Sequence, residues 1–136
     1  MTVEPARWPP GLSGVVYVLH LDTMTAFYAA LCELEVVERV DGDFVTLENA
    51  TMSLSLVQAP SWIADEIVLS DPPERRESAA LKLSFPVDSL ARVREVATRY
   101  GGIVDDPGTE WEFRGMRVCH GQDPEGNVVS FREPAT

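Results

Sequence analysis

The side chains able to act as nucleophile, base or metal ligand are few in this sequence, and their spacing is the first thing to weigh. Cys32 and Cys119 are its only cysteines, and His20 and His120 its only histidines. Cys119 and His120 are adjacent in Val118-Cys119-His120-Gly121, which reads as the end of a strand. A strand sends consecutive side chains to opposite faces, so this pair does not form a nucleophile and its base. The cysteines lack metal-ligand spacing and sit among apolar residues, so buried, reduced thiols are expected at both. His20 stands just ahead of a helical pattern and reads as a local cap or a surface residue. His120 reads as packing or a backbone hydrogen bond, with a polar contact at a pocket edge as the alternative. No Ser, His and Asp fall in a nucleophile elbow. Gly101-Gly102 ends a helix and is unlike a phosphate-cradling loop.

Composition narrows the class further. A chain of 136 residues, 45% apolar and 24% charged, is most simply one compact domain. It carries 22 acids against 11 Lys and Arg, a net charge of -11, which argues against nucleic acid and anionic membrane surfaces as partners. The same charge reads either as solubility or as a surface suited to a cationic ligand, and composition does not choose. No apolar run approaches the roughly 18 to 20 residues of a membrane span. The start, Met1-Thr2-Val3-Glu4-Pro5-Ala6-Arg7, lacks the basic and apolar regions of a signal peptide, so a cytoplasmic location is expected.

The elements that must position any site repeat one pattern. Gly14 to Leu21 is a valine-rich strand, Asp22 or Thr23 offers an N-cap, and Met24, Phe27, Tyr28, Leu31 and Cys32 recur at helical spacing. Strand candidates follow at Leu34 to Arg39, Asp43 to Glu48 and Thr51 to Gln58, with Asp41-Gly42 as a hairpin signal. The pattern then recurs. Leu81, Leu83, Phe85 and Val87 alternate against Lys82, Ser84 and Pro86, and Asp88 or Ser89 caps a helix carrying Leu90, Val93, Val96, Ala97 and Tyr100. Ile103-Val104, a strand around Trp111 to Cys119 and a final strand complete it. This divides the chain into an N-terminal arm at 1–12, a first unit at 13–58, a connection at 59–79 and a second unit at 80–136. Each unit reads strand, helix, then about three strands, which suggests an internal duplication.

The turn before the last strand is the most informative segment. Asp123-Pro124-Glu125-Gly126-Asn127 has Asp first, Pro second and Gly fourth, as a type I turn prefers. Together with Phe27-Tyr28 on the first helix, Phe85-Pro86-Val87-Asp88 and Gly115-Met116-Arg117, it resembles the vicinal oxygen chelate superfamily. That group includes glyoxalase I, extradiol dioxygenases and bleomycin-resistance proteins. Cys32-Glu33 departs from the superfamily's usual Leu-Gly. The resemblance spans most of the chain and implies an α+β fold, in which two βαβββ modules form a curled mixed sheet around an open cleft. It also implies a homodimer.

Alternation indicates which residues face that cleft. With Met52, Leu54 and Leu56 in the core, Ser53 and Ser55 face it; with Leu81, Leu83 and Phe85 in the core, Lys82 and Ser84 do. Val16 and Val18 packing under the helix leaves Ser13, Val15 and Tyr17 outward, and Ser130 and Arg132 lie opposite Val129 and Phe131. Trp111, Phe113 and Arg117 complete the expected ligand-binding surface. Lys82 and Arg132 either pair with acids such as Glu112 or Glu133 or anchor an anionic group.

Metalloenzymes of the superfamily take His or Glu from the first strand of each module and Glu from the last. Here those positions fall on Ser13 (Val15 if the register slips by two), Lys82, Ser53 or Ser55, and Ser130. Hydroxyls and an ammonium are poor ligands for a divalent ion, so no metal and no other cofactor is expected. The resemblance thus implies metal-free binding of a small aromatic or antibiotic-like molecule. The alternative is a lyase, isomerase or dioxygenase-like enzyme with a displaced metal site.

Overall fold

The structure is a computed structural model that describes Trp8 and residues 10–135. Most of the expected N-terminal arm lies outside the described residues. The elements run β1 (Ser13–Val18), α1 (Leu21–Cys32), β2 (Glu35–Val40), β3 (Phe44–Glu48) and β4 (Ser53–Gln58), then a short α2 (Ser61–Ala64). The pattern returns as β5 (Leu83–Pro86), α3 (Leu90–Arg99), β6 (Ile103–Val104), β7 (Trp111–Phe113), β8 (Met116–Gln122) and β9 (Val128–Pro134).

Two open sheets result, with strand orders β1-β4-β3-β2 and β5-β9-β8-β6. In each, the first and last strands pair parallel, β1 with β4 and β5 with β9, and the remaining neighbours run antiparallel. The two orders are the same topology twice, so the duplicated pattern in the sequence is a duplicated fold. The α+β architecture with mixed, unclosed sheets is the expected one.

A continuous core joins the two units. Phe27 and Tyr28, the aromatic pair of α1, are 0% and 1% exposed. Tyr28 packs on Phe85 at 5.6 Å and Phe85 on Phe131 at 6.1 Å between ring centroids, carrying the cluster from the first unit into the second. Burying such rings contributes roughly 1.5 to 3 kcal/mol each. Glycine enables the close approach, because a Cβ at Gly102 would collide with the Phe27 ring and the Gln122 carbonyl.

The Asp123 turn makes the polar tie across this core. The backbone bond from Gly126 N to Asp123 O, at 2.9 Å, closes the expected turn. Asp123 Oδ1 accepts from the backbone of Glu125 and Asn127 at 2.9 and 3.0 Å, and Oδ2 accepts the Tyr28 hydroxyl at 2.6 Å. Glu125 is 1% exposed and its carboxylate accepts the amides of Leu19 (2.9 Å to Oε2) and His20 (2.8 Å) at the entry to α1. That corrects the expected cap: α1 begins at Leu21, and neither Asp22 nor Thr23 caps it. The amides at its entry are satisfied by a carboxylate from the other unit, a partner that local sequence does not reveal.

Other local expectations met mixed outcomes. Ser89 caps α3, its hydroxyl accepting Arg92 N at 3.1 Å. Glu33 ends α1 in the left-handed region at φ 52°, the conformation that the superfamily's glycine would take without cost. Leu81 is 86% exposed, because β5 starts at Leu83. The single strand expected around Trp111 to Cys119 is a hairpin, with Arg114 and Gly115 both at positive φ (52° and 78°) between β7 and β8. Two consecutive positive φ values are the signature of a tight two-residue hairpin turn.

Candidate functional site

In the second sheet β9 lies between β5 and β8, so outward side chains of three strands share one surface. Ser84 is level with Ser130, Ser130 with His120, and Arg132 with Val118. The β7 hairpin adds Trp111 beside Val118 and Phe113 beside Met116. The intervening Cys119, Val129 and Phe131 turn into the core.

A charged and aromatic cluster forms on this surface. Lys82 Nζ lies 2.7 Å from His120 Nε2. An ammonium only donates, so Nε2 accepts and the imidazole carries its proton on Nδ1. Burial, seconded by the Lys82 charge, holds His120 below its ordinary pKa of 6.5, so the ring is neutral at pH 7. The His120 ring meets Trp111 at 4.7 Å between centroids, and Lys82 Nζ lies 5.9 Å from the Trp111 ring, within cation–π range. Arg132 Nη1 donates to Ser84 Oγ at 2.9 Å. A cavity of about 440 Å³ opens here, lined by Lys82, Ser84, Trp111, Phe113, Ser130 and Arg132 among others. Lys82, Ser84 and Arg132 also border a groove of about 530 Å³ that reaches Ser13 and Ser53 of the first sheet.

Of the remaining expected residues, Ser53 borders that groove and the others lie apart. Ser53 is buried and donates to Glu48 Oε2 at 2.9 Å, and Ser55 shares a hydrogen bond with Thr46 at 3.0 Å. Both line a separate depression of about 400 Å³ on the first sheet, with Glu38 and Glu48 in its wall. Tyr17 is outward on β1 and 47% exposed, but lines neither cavity. Arg117 is a correction. It pairs with Glu112 across the β7–β8 hairpin, one residue out of phase with Met116 and Val118, and so lies on the face away from the cleft. There it approaches Glu110 at 3.8 Å and Glu112 at 3.9 Å. The tight turn at Arg114-Gly115 sets that phase.

His120 is the residue that sequence reading undervalued, placing it at a strand end when β8 continues to Gln122. Extending the alternation from Val118 by two positions would have found it. Arg114, Met116 and Val118 line the cavity of about 440 Å³, whereas His120 borders a neighbouring one that shares Lys82. Cys119, as expected, points the other way, buried against Thr109 and the Asp105 carbonyl.

The donor set does not suit a divalent metal ion. At the crossings of first and last strands stand Ser13 with Ser53 and Ser84 with Ser130, with the cations Lys82 and Arg132 beside the second pair and a single carboxylate, Glu48, beside the first. Neutral hydroxyls are weak ligands and an ammonium repels a metal. Among the described residues no three His, Cys, Asp or Glu side chains converge.

Known structures with this architecture are numerous. A glyoxalase/bleomycin resistance protein/dioxygenase family enzyme from Burkholderia phytofirmans superposes with a TM-score of 0.67 at 18% identity, over 90% of this chain and 97% of that one. The genomically encoded fosfomycin resistance protein of Listeria monocytogenes, in complex with Mn(II) and sulfate, gives 0.64 at 13% identity over 94% and 93%. An antibiotic binding protein from Streptomyces gives 0.61 at 19% identity over 96% and 100%. No curated protein matches the sequence. The sequence itself matches the glyoxalase-like domain over residues 15–131, nearly all of both units, and the chain belongs to that family.

Proposed function

We propose that this protein binds a small aromatic, antibiotic-like molecule in the second-sheet cleft without a metal ion. The observation that carries this reading is Trp111, with Lys82 over its indole and His120 packed against it, at the wall of a cavity of about 440 Å³ that Trp111 and Lys82 line. That volume falls in the range of drug-sized sites, which combine flat apolar surface with a few orienting polar groups. The metal-free part rests on the hydroxyl and ammonium donor set. The antibiotic binding protein and the fosfomycin resistance protein support small-molecule binding by this fold.

The test is a titration of chelator-free protein with planar aromatic antibiotics, repeated after EDTA treatment. Binding unchanged by EDTA, and weakened about tenfold by Trp111→Ala, is the expected result. Stoichiometric metal whose removal abolishes binding would sink the metal-free reading. Failure of every aromatic compound to bind would sink the whole.

A second reading, proton-transfer catalysis, has His120 in its favour, a neutral imidazole held beside an ammonium. Turnover of any bound carbonyl compound that disappears in His120→Gln, with binding retained, would establish it.

The protein also belongs, on this reading, to the cytoplasm as a homodimer. Val15 and Val37 are 54% and 43% exposed and line one depression on the open face of the first sheet, an apolar patch that a second copy would cover. Light scattering at twice the 15.0 kDa chain mass is the expected outcome, and a monomer at micromolar concentration would overturn it. Among the described residues no helix is long and apolar enough to cross a membrane.

A further inference from the structure

The cleft has the opposite charge to the chain. The chain carries 22 acids against 11 Lys and Arg. The second-sheet cavity, however, is lined by Lys82, Arg114 and Arg132 and by no Asp or Glu, and the adjoining groove adds no acid. The acids expected to neutralise these cations are engaged elsewhere. Glu112 faces Arg117 on the far side of the hairpin, and the Glu133 carboxylate accepts Leu90 N at 3.0 Å at the start of α3. Among the described residues none of the three cations forms a salt bridge. Lys82 meets a neutral imidazole and Arg132 a hydroxyl, contacts that orient their charges without cancelling them.

We propose that the ligand is an aromatic anion, with its rings on Trp111 and Phe113 and its carboxylate or similar group between Lys82 and Arg132. The inference rests on the aromatic-ligand reading above and adds the sign of the ligand's charge. It is opposite in sign to the cationic ligand that is one of the two readings of the net charge. The depression on the first sheet supports the assignment by contrast, since Glu38 and Glu48 line it with no Lys or Arg. Charge-assisted hydrogen bonds from a guanidinium and an ammonium are about twice as strong as neutral ones. An anion bound here would meet two cations that the protein's own acids do not neutralise.

The experiment is calorimetric titration at pH 7 with three probes of one shape: 2-naphthoate, 2-naphthylmethanol and 2-naphthylmethylammonium. The naphthoate is expected to bind at least about tenfold more tightly than the alcohol, and the ammonium most weakly. In Lys82→Gln/Arg132→Gln the advantage of the naphthoate over the alcohol should be lost. Equal binding of alcohol and naphthoate, or preference for the ammonium, overturns the charge assignment and leaves aromatic binding standing. If none of the three binds, both fall. The wild-type series decides the matter even if the double variant does not fold.

Discussion

His120 and Arg117 show how much a single residue's role depends on phase. They are three positions apart on β8, so alternation sends them to opposite faces, and the structure puts the imidazole on the Ser130 face against Trp111 and the guanidinium on the other. Asp123 makes the same point about burial. Its carboxylate collects several donors, yet burial dominates and raises its pKa above the ordinary 3.8. An acid whose pKa rises on folding binds its proton more tightly in the folded state. Its contribution is therefore present at low pH and is lost as pH rises from about 3.8 through the folded pKa. Asp123→Asn removes that titration along with acceptors for Tyr28 and Asn127. The variant should be less stable by about 1 to 3 kcal/mol. By the sign of the shift, its deficit is largest near pH 4 and shrinks toward pH 7. Urea melts at both pH values measure this, and a deficit that grows with pH would refute the raised pKa.

At the scale of elements, periodicity named the strands and helices but not their joints. The β7–β8 hairpin was hidden because Arg114-Gly115 is not a common turn pair, and Arg114 accepts a positive φ that local preference disfavours. The C-terminus of α1 is the converse case. Glu33 occupies a left-handed position where glycine is the favoured residue, at a cost of roughly 1 kcal/mol. Glu33→Gly should therefore stabilise the protein by about 0.5 to 1 kcal/mol, less a small loss from its 3.9 Å contact with Arg92. A rise in the denaturation midpoint with an unchanged slope is the expected reading. A fall would mean that the Glu33 side chain contributes more than its backbone costs.

For the whole molecule, the cross-unit contacts matter most. Glu125 reaches about a hundred residues back along the chain to the amides at the entry of α1, and Arg92 of α3 donates to the Ala30 and Leu31 carbonyls near its end. Glu125→Ala leaves two part-buried amides without their acceptor and should cost about 1 to 3 kcal/mol. Glu125→Gln, which keeps an acceptor oxygen, should cost less. Equal losses in the two variants, measured by thermal melting, would show that the side chain acts by packing alone.

By itself the sequence determined the duplicated strand and helix order, the aromatic pair buried on α1, and the hydroxyls at the crossings where metal ligands would stand. These follow from local rules of alternation, helical spacing and side-chain chemistry. The tertiary structure decided the rest. It placed Ser55 on a depression apart from the Lys82 cluster, set His120 against Trp111, and engaged Glu112 and Glu133 away from the cleft. Net charge is a sum over the surface, whereas a ligand meets only the charges that the fold turns toward it.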